Sequence, residues 1–124
     1  MNFIRKTRKE IKQYQIALLN NPKEIKEKLD NNLEFWQGMN DFYCEYMSSL
    51  LLNAVQIEDI VMDITFDLKV KGIRRIKYFF IRKFYERLYA YIHKRLNCVY
   101  EILDQIEKIL ERLNQFKYLT KSWH

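Results

Sequence analysis

The chain has very few residues that interrupt helices or build tight turns. It contains two glycines and one proline in 124 residues. A β-sandwich or barrel needs turn residues about every 8–12 positions, and this sequence does not supply them. Long helices tolerate such scarcity, so we predict an all-α protein.

Other absences narrow the functional classes. Cys44 and Cys98 are isolated and belong to no CxxC or Cys/His motif, which disfavours a metal site and indicates a reduced, cytoplasmic protein. No run of about 18 uncharged apolar residues is present, so we predict no transmembrane segment. The basic start of the chain lacks the apolar run of a signal peptide. We predict no cofactor.

Length and periodicity predict an up-down bundle of four to five helices. We expect a single domain over residues 1–119, followed by a frayed tail at 120–124. The predicted helices cover residues 3–19, 22–35, 42–69 and 73–119. Asn21 is expected to cap the second helix, and Gly38 lies in the expected break before the third. The last helix is too long for a compact bundle of this size, so we predict a break or bend near Asn97.

Apolar residues recur at three- and four-residue steps and predict one buried face on each helix. For the first two helices the predicted core is Ile4, Thr7, Ile11, Tyr14, Leu18, Ile25, Leu29, Leu33 and Trp36. For the third it is Tyr43, Met47, Leu50, Ala54, Ile57, Val61, Ile64 and Leu68. For the fourth it is Phe80, Phe84, Leu88, Tyr91, Ile92 and Val99.

Charge is sorted into blocks along the chain. Residues 29–68 contain eight acidic residues and no Lys or Arg, whereas residues 69–95 contain ten Lys or Arg and the single acid Glu86. This pattern indicates an acidic and a basic surface that face each other, in one chain or across a homodimer, or that face different partners. The net charge of +6 also permits a nucleic-acid partner.

Arg95 falls near the middle of the apolar arc of the last helix. A guanidinium in that place needs a partner, because burying it alone costs several kcal/mol. Glu58 lies at the edge of the apolar stripe of the third helix. We therefore predict an ion pair between Glu58 and Arg95, within the chain or across a dimer.

Aromatic and basic residues alternate along the last helix, a pattern that suits RNA because rings stack on bases while cations hold phosphates. The candidate nucleic-acid-binding residues are Arg75, Arg82, Lys83, Arg87, Tyr89 and Lys94. The same aromatic residues also fit a core or a dimer interface.

Asp59, Asp63 and Asp67 repeat at a spacing of four and form the weak candidate for a divalent cation site. Glu58, Asp59 and Asp63 resemble the acidic motif of all-α nucleotide pyrophosphohydrolases of the MazG type, which implies magnesium-dependent hydrolysis. The second Glu-x-x-Glu/Asp helix of that family is missing here. The same spacing is also explained if Asp59, Asp63 and Asp67 form a solvent-exposed face of the third helix, or a face that contacts the basic fourth helix.

The stretch from Phe79 to His93, FFIRKFYERLYAYIH, resembles a helix of HEPN-type α-bundles. That resemblance implies a dimer, and in the active members a ribonuclease with an Arg-x(4–6)-His signature. Arg87 and His93 have the allowed separation and are the implied catalytic pair at a dimer cleft. The residue after the Arg is Leu88, whereas the active families usually have a polar residue there.

Three functions remain open on this reading of the sequence. The first is a small cytoplasmic, non-catalytic protein that self-associates as a homodimer. The second is a HEPN-like RNA-binding protein or ribonuclease. The third is a MazG-like, metal-dependent nucleotide hydrolase.

Overall fold

The computed structural model describes residues 2–70 and 76–122, and it confirms the all-α class. Four helices follow one another: α1 (Asn2–Asn20), α2 (Pro22–Glu27), α3 (Leu29–Val70) and α4 (Ile76–Ser122). The predicted turn at Gly72 and the candidate Arg75 lie outside the described residues. The predicted tail is helical as far as Ser122, because α4 continues through it, and the last two residues of that tail are also outside the description.

The short helix α2 ends earlier than predicted. Pro22 occupies its first turn, as expected, but the side chain of Asn21 makes no capping hydrogen bond. The chain turns at Lys28, whose carbonyl accepts a hydrogen bond from Asn32 Nδ2 at 2.6 Å. This side-chain contact belongs to the start of α3, so the predicted helix 22–35 is divided between α2 and α3.

The breaks predicted at Gly38 and near Asn97 are not present, and the alternative of a bend near Asn97 stays a prediction. Gly38 lies inside α3, where the buried residues Trp36 and Tyr43 flank it. Asn97 lies inside α4, between the buried residues Leu96 and Val99. In both places the apolar stripe continues past the polar or flexible residue, and packing of that stripe outweighs the weak local preference against helix.

The described contacts divide the chain into two compact units, whose boundaries fall inside α3 and α4. Unit 1 comprises Met1–Glu45 and Cys98–His124, and unit 2 comprises Tyr46–Asn97.

In unit 1, α1 runs antiparallel to the first part of α3. The Phe3 and Tyr43 rings lie 6.2 Å apart, and further along α1 the Tyr14 and Trp36 rings lie 5.0 Å apart. Arg8 joins α1 to α4 by an exposed ion pair with Glu101 at 3.3 Å. The fully buried large side chains of this unit are Ile11, Trp36, Tyr43, Val99, Ile102, Ile106, Ile109 and Leu113.

Two polar contacts fix the register of α1 on α3. The Tyr43 hydroxyl donates to Thr7 Oγ1 at 2.5 Å, and the Thr7 hydroxyl donates to the Phe3 carbonyl at 2.9 Å. The Tyr14 hydroxyl donates to Asn32 Oδ1 at 2.9 Å. Burial raises the pKa of Tyr14 to about 12, against a smaller opposing effect of the Trp36 indole. Among the described residues, Trp36 Nε1 is buried without a hydrogen-bond partner.

In unit 2, α3 and α4 pack as an antiparallel pair. Tyr46 contacts Arg95 at one end, whereas Met62 lies beside Glu86 and Tyr89 further along. The buried apolar residues of this unit are Leu50, Ala54, Ile57, Ile92 and Leu96.

The predicted core of α4 is too broad in unit 2. Ile92 is buried, as expected, but Phe80 is 64% exposed, Phe84 62% and Tyr91 49%. The reason is that each described helix of this unit has one neighbouring helix, which covers only a narrow arc. Three apolar residues assigned to the core from their spacing are therefore surface residues.

Candidate functional site

A groove between α3 and α4 of unit 2 carries two carboxylates. It is lined by Glu58, Val61 and Met62 of α3 and by Glu86 and Tyr89 of α4, and its volume is about 230 Å³. Pockets that bind drug-sized ligands have volumes of about 300–1,000 Å³. The groove is therefore smaller than a typical ligand pocket.

Glu86 is engaged by cations of its own helix. Its carboxylate accepts a hydrogen bond from Arg82 Nε at 3.0 Å and lies 3.9 Å from Lys83 Nζ. Exposed pairs of this kind contribute about 0.3–0.5 kcal/mol to a helix. In the groove, the charge of Glu86 is therefore neutralised by Arg82, and this ion pair lies beside Glu58.

The candidate catalytic pair does not converge within one chain. Arg87 and His93 are both exposed on α4, and α4 is a continuous helix between them. Six residues of helix turn the second side chain about 120° from the first and move it about 9 Å along the axis. His93 packs on Tyr89, with ring centroids 4.5 Å apart, so it faces the groove side of α4 and Arg87 does not. Within the described chain the two side chains therefore do not meet.

The candidate nucleic-acid-binding residues fall into two sets. Arg82 and Tyr89 lie beside the groove. Lys83, Arg87 and Lys94 are exposed and lie within about 40° of one another around α4. We call these three residues the basic flank. No single described surface therefore contains all the candidates.

Arg95 lies against two phenols. Its guanidinium donates to the Tyr46 hydroxyl and, at 2.8 Å, to the Tyr91 hydroxyl. Partial burial lowers the pKa of Arg95, but the hydrogen bonds and charges of Tyr46 and Tyr91 outweigh that effect and raise it. Glu58, the predicted partner, lies twelve residues beyond Tyr46 on α3, a rise of about 18 Å. Its pair with Arg95 stays a prediction.

The acidic stripe of α3 does not form a metal centre with other side chains in the described structure. Across residues 2–70 and 76–122 there is no group of three His, Cys, Asp or Glu side chains that could hold an ion. Asp59 and Asp63 are exposed and Asp67 is half-buried. Their spacing of four places them in a row along the helix, which separates their carboxylates along its axis.

Sequence reasoning missed the apolar surface of unit 2. Phe80 and Phe84 were assigned to the core, and the exposed stripe formed by Leu51, Val55 and Met62 was not identified. The sequence contains a signal for each of these two exposed surfaces. The apolar residues of α3 exceed what one buried face of a helix requires, and the aromatic residues of α4 lie among cations.

Comparison with known proteins gives no relative. No family model matches the chain, no curated protein is similar to it, and no solved structure matches it. No helix in the described part of the chain is both long enough and apolar enough to cross a bilayer.

Proposed function

We propose that this chain is a non-catalytic interaction protein that self-associates through an apolar stripe on α3. We define the α3 stripe as Leu51, Leu52, Val55 and Met62. The four side chains are 40%, 60%, 55% and 63% exposed. The exposure of these four apolar side chains on one helix is the observation that carries the proposal, because apolar patches on soluble proteins mark interaction sites.

The spacing of the stripe suits a partner helix. Leu51, Val55 and Met62 are separated by four and seven residues, the steps that keep apolar residues on one side of a helix. The neighbouring face of α3, about 100° around the helix, is already packed, since Leu50 and Ala54 are 7% and 6% exposed. Helix α3 therefore has two apolar faces, one of which its own chain leaves uncovered.

Charge favours a specific pairing between two copies. Glu58 and Asp59 border the α3 stripe and are exposed, so two α3 stripes placed face to face would bring like charges together. The basic flank of α4 carries the opposite sign. We infer that the acidic border of one copy meets the basic flank of the other, an arrangement that also accounts for the charge blocks of the sequence.

The absence of catalysis is part of the same proposal. It is supported by the separation of Arg87 from His93, by the small volume of the groove and by the pairing of Glu86 with Arg82. A site that performs acid–base or hydrolytic chemistry needs these groups to converge on one reacting atom.

Sedimentation velocity across a series of micromolar concentrations tests the proposal. We expect a concentration-dependent dimer. Replacing Leu52 and Val55 by Ser should remove about 2 kcal/mol of apolar burial and weaken the dimer roughly thirtyfold. Leu19→Ser is the matched control, because Leu19 is 81% exposed but belongs to unit 1. A monomer at every concentration, or equal effects of the stripe and control variants, would contradict self-association through α3.

A HEPN-like RNA-binding protein or ribonuclease is the second candidate. The basic flank supports it, since three exposed cations lie on one side of α4. Catalysis would require Arg87 of one copy and His93 of another in a shared cleft. RNA cleavage that is lost in His93→Ala would favour this candidate, and cleavage that survives the substitution would exclude the proposed pair. The metal-dependent hydrolase has no comparable support.

A further inference from the structure

One segment of the chain is strongly basic. Residues 66–87 contain eight of the 22 Lys and Arg residues but only two of the 16 acidic residues, Asp67 and Glu86. The difference equals the net charge of the entire protein, which is +6. The remaining residues therefore carry equal numbers of acidic and basic side chains.

The same segment holds four exposed phenylalanines. Phe66 is 60% exposed, Phe79 53%, Phe80 64% and Phe84 62%. The antiparallel pairing of α3 and α4 gathers them at one end of unit 2, because Phe66 follows the groove residue Met62 on α3 whereas the other three precede Glu86 on α4. We call this group the Phe end.

The phenylalanines of the Phe end cover more than one side of unit 2. Phe80 and Phe84 are four residues apart and lie within about 40° of each other around α4, whereas Phe79 lies about 100° and 140° from them. Phe66 belongs to α3. The Phe end therefore offers apolar contact over a broad area and not only along one row of rings on which successive bases could stack.

Exposed cations accompany these rings. Lys69, Lys83 and Arg87 are exposed, and Lys83 Nζ lies 5.7 Å from the centroid of the Phe79 ring. Apolar side chains beside Lys and Arg are the composition that binds the boundary between lipid headgroups and acyl chains. The positive charge complements anionic headgroups, and the rings account for the exposed apolar area.

We propose that the Phe end docks unit 2 on an anionic membrane surface. The phenylalanines enter the boundary between headgroups and acyl chains, and the Lys and Arg side chains contact the lipid phosphates. This docking is peripheral, because no described helix is able to span a bilayer. It goes beyond the proposed self-association, whose apolar contact is the α3 stripe at positions 51–62. The two surfaces share the cations Lys83 and Arg87 and differ in their apolar residues, so the apolar variants distinguish them.

Co-sedimentation with vesicles tests the proposal. We expect the protein to bind vesicles of phosphatidylserine in phosphatidylcholine, to bind pure phosphatidylcholine much more weakly, and to dissociate as salt is raised. Replacing Phe80 and Phe84 by Ser should lower the affinity about tenfold per residue. Lys83→Gln and Arg87→Gln should each lower it about fivefold, and only on the anionic vesicles.

A matched control is available in unit 1. Phe35 and Phe42 are each 51% exposed, and their replacement by Ser should leave vesicle binding unchanged. Circular dichroism of each variant should retain the helical signal, because every substituted side chain is on the surface. Equal losses in the control and Phe-end variants would overturn the proposal, as would the absence of wild-type binding to anionic vesicles.

Two further arms separate this proposal from the alternatives. The stripe variant with Ser in place of Leu52 and Val55 should still bind vesicles, so loss of self-association and loss of docking are distinguishable. Single-stranded RNA is the competing partner of the same surface. Binding to RNA that requires Phe80 and Phe84, without binding to vesicles, would assign the Phe end to nucleic acid instead of lipid.

Discussion

The buried hydroxyl chain of unit 1 gives a double-mutant cycle with a distinctive result. Tyr43 is fully buried and donates to Thr7 Oγ1, which in turn donates to the Phe3 carbonyl. Thr7→Val keeps the shape of the side chain but removes the acceptor of the Tyr43 hydroxyl. The Tyr43 hydroxyl also lies 3.4 Å from the Phe3 carbonyl, a distance at which a hydrogen bond is weaker than one of 2.5 Å.

The two single substitutions should differ in cost. Thr7→Val leaves a buried donor poorly paired, which costs about 1–3 kcal/mol. Tyr43→Phe should cost about 0.5–1.5 kcal/mol, because Thr7 still donates to the Phe3 carbonyl. In the double variant both positions are apolar, so the second substitution should cost almost nothing and the coupling free energy should be about 1 kcal/mol or more.

Urea unfolding followed by circular dichroism measures this cycle. The midpoint should change between variants, whereas the slope with denaturant should stay constant if only native-state contacts are altered. Additive effects of the two substitutions would refute the reasoning, because they would mean that the hydroxyl groups do not depend on each other.

Two further predictions concern α3 and α1. Gly38→Ala should raise the free energy of unfolding by about 0.5–1 kcal/mol, because Gly38 is helical and a Cβ atom there meets nothing within 4 Å; urea unfolding measures it, and a loss of stability would contradict the continuous α3. The folded-state pKa of Tyr14, about 12, lies above its ordinary value of 10. The stability that the neutral Tyr14 side chain contributes to the fold is therefore fully present below pH 10 and is lost as the pH rises towards 12. After screening by solvent we expect a loss of about 1 kcal/mol. Tyr14→Phe should abolish that part of the alkaline loss, and an unchanged profile in the variant would contradict the assignment.

The sequence predicts helices well where apolar residues keep their period. Ile4, Thr7 and Ile11 recur on one stripe and are buried in the structure. Helix ends are harder to predict, because they depend on sums of small terms. Gly38 costs about 1 kcal/mol relative to Ala, which is less than burial of a large ring such as Trp36 contributes. The turn at Lys28 combines backbone hydrogen bonds with one from the Asn32 side chain, which periodicity does not reveal.

The candidate site is predictable only in part. The separation of Arg87 and His93 follows from helix geometry and needs no structure. The exposure of Phe80 and Phe84 does not follow from helix geometry, because the spacing of apolar residues identifies an apolar face without indicating whether another helix covers it. Arg95 illustrates the same limit, since its phenolic partner Tyr46 is a neighbour through the antiparallel pairing of α3 with α4 and not through any sequence spacing.

The concentration of charge in residues 66–87 has a consequence for encounter rates. Residues 66–87 carry a formal charge of +6, so this segment contributes strongly to the long-range electrostatic field of the protein. An approaching polyanionic surface or molecule therefore exerts a torque that turns this segment towards it before contact. Association should be fast and oriented at low ionic strength, and its rate should fall steeply when salt screens the field beyond about 10 Å.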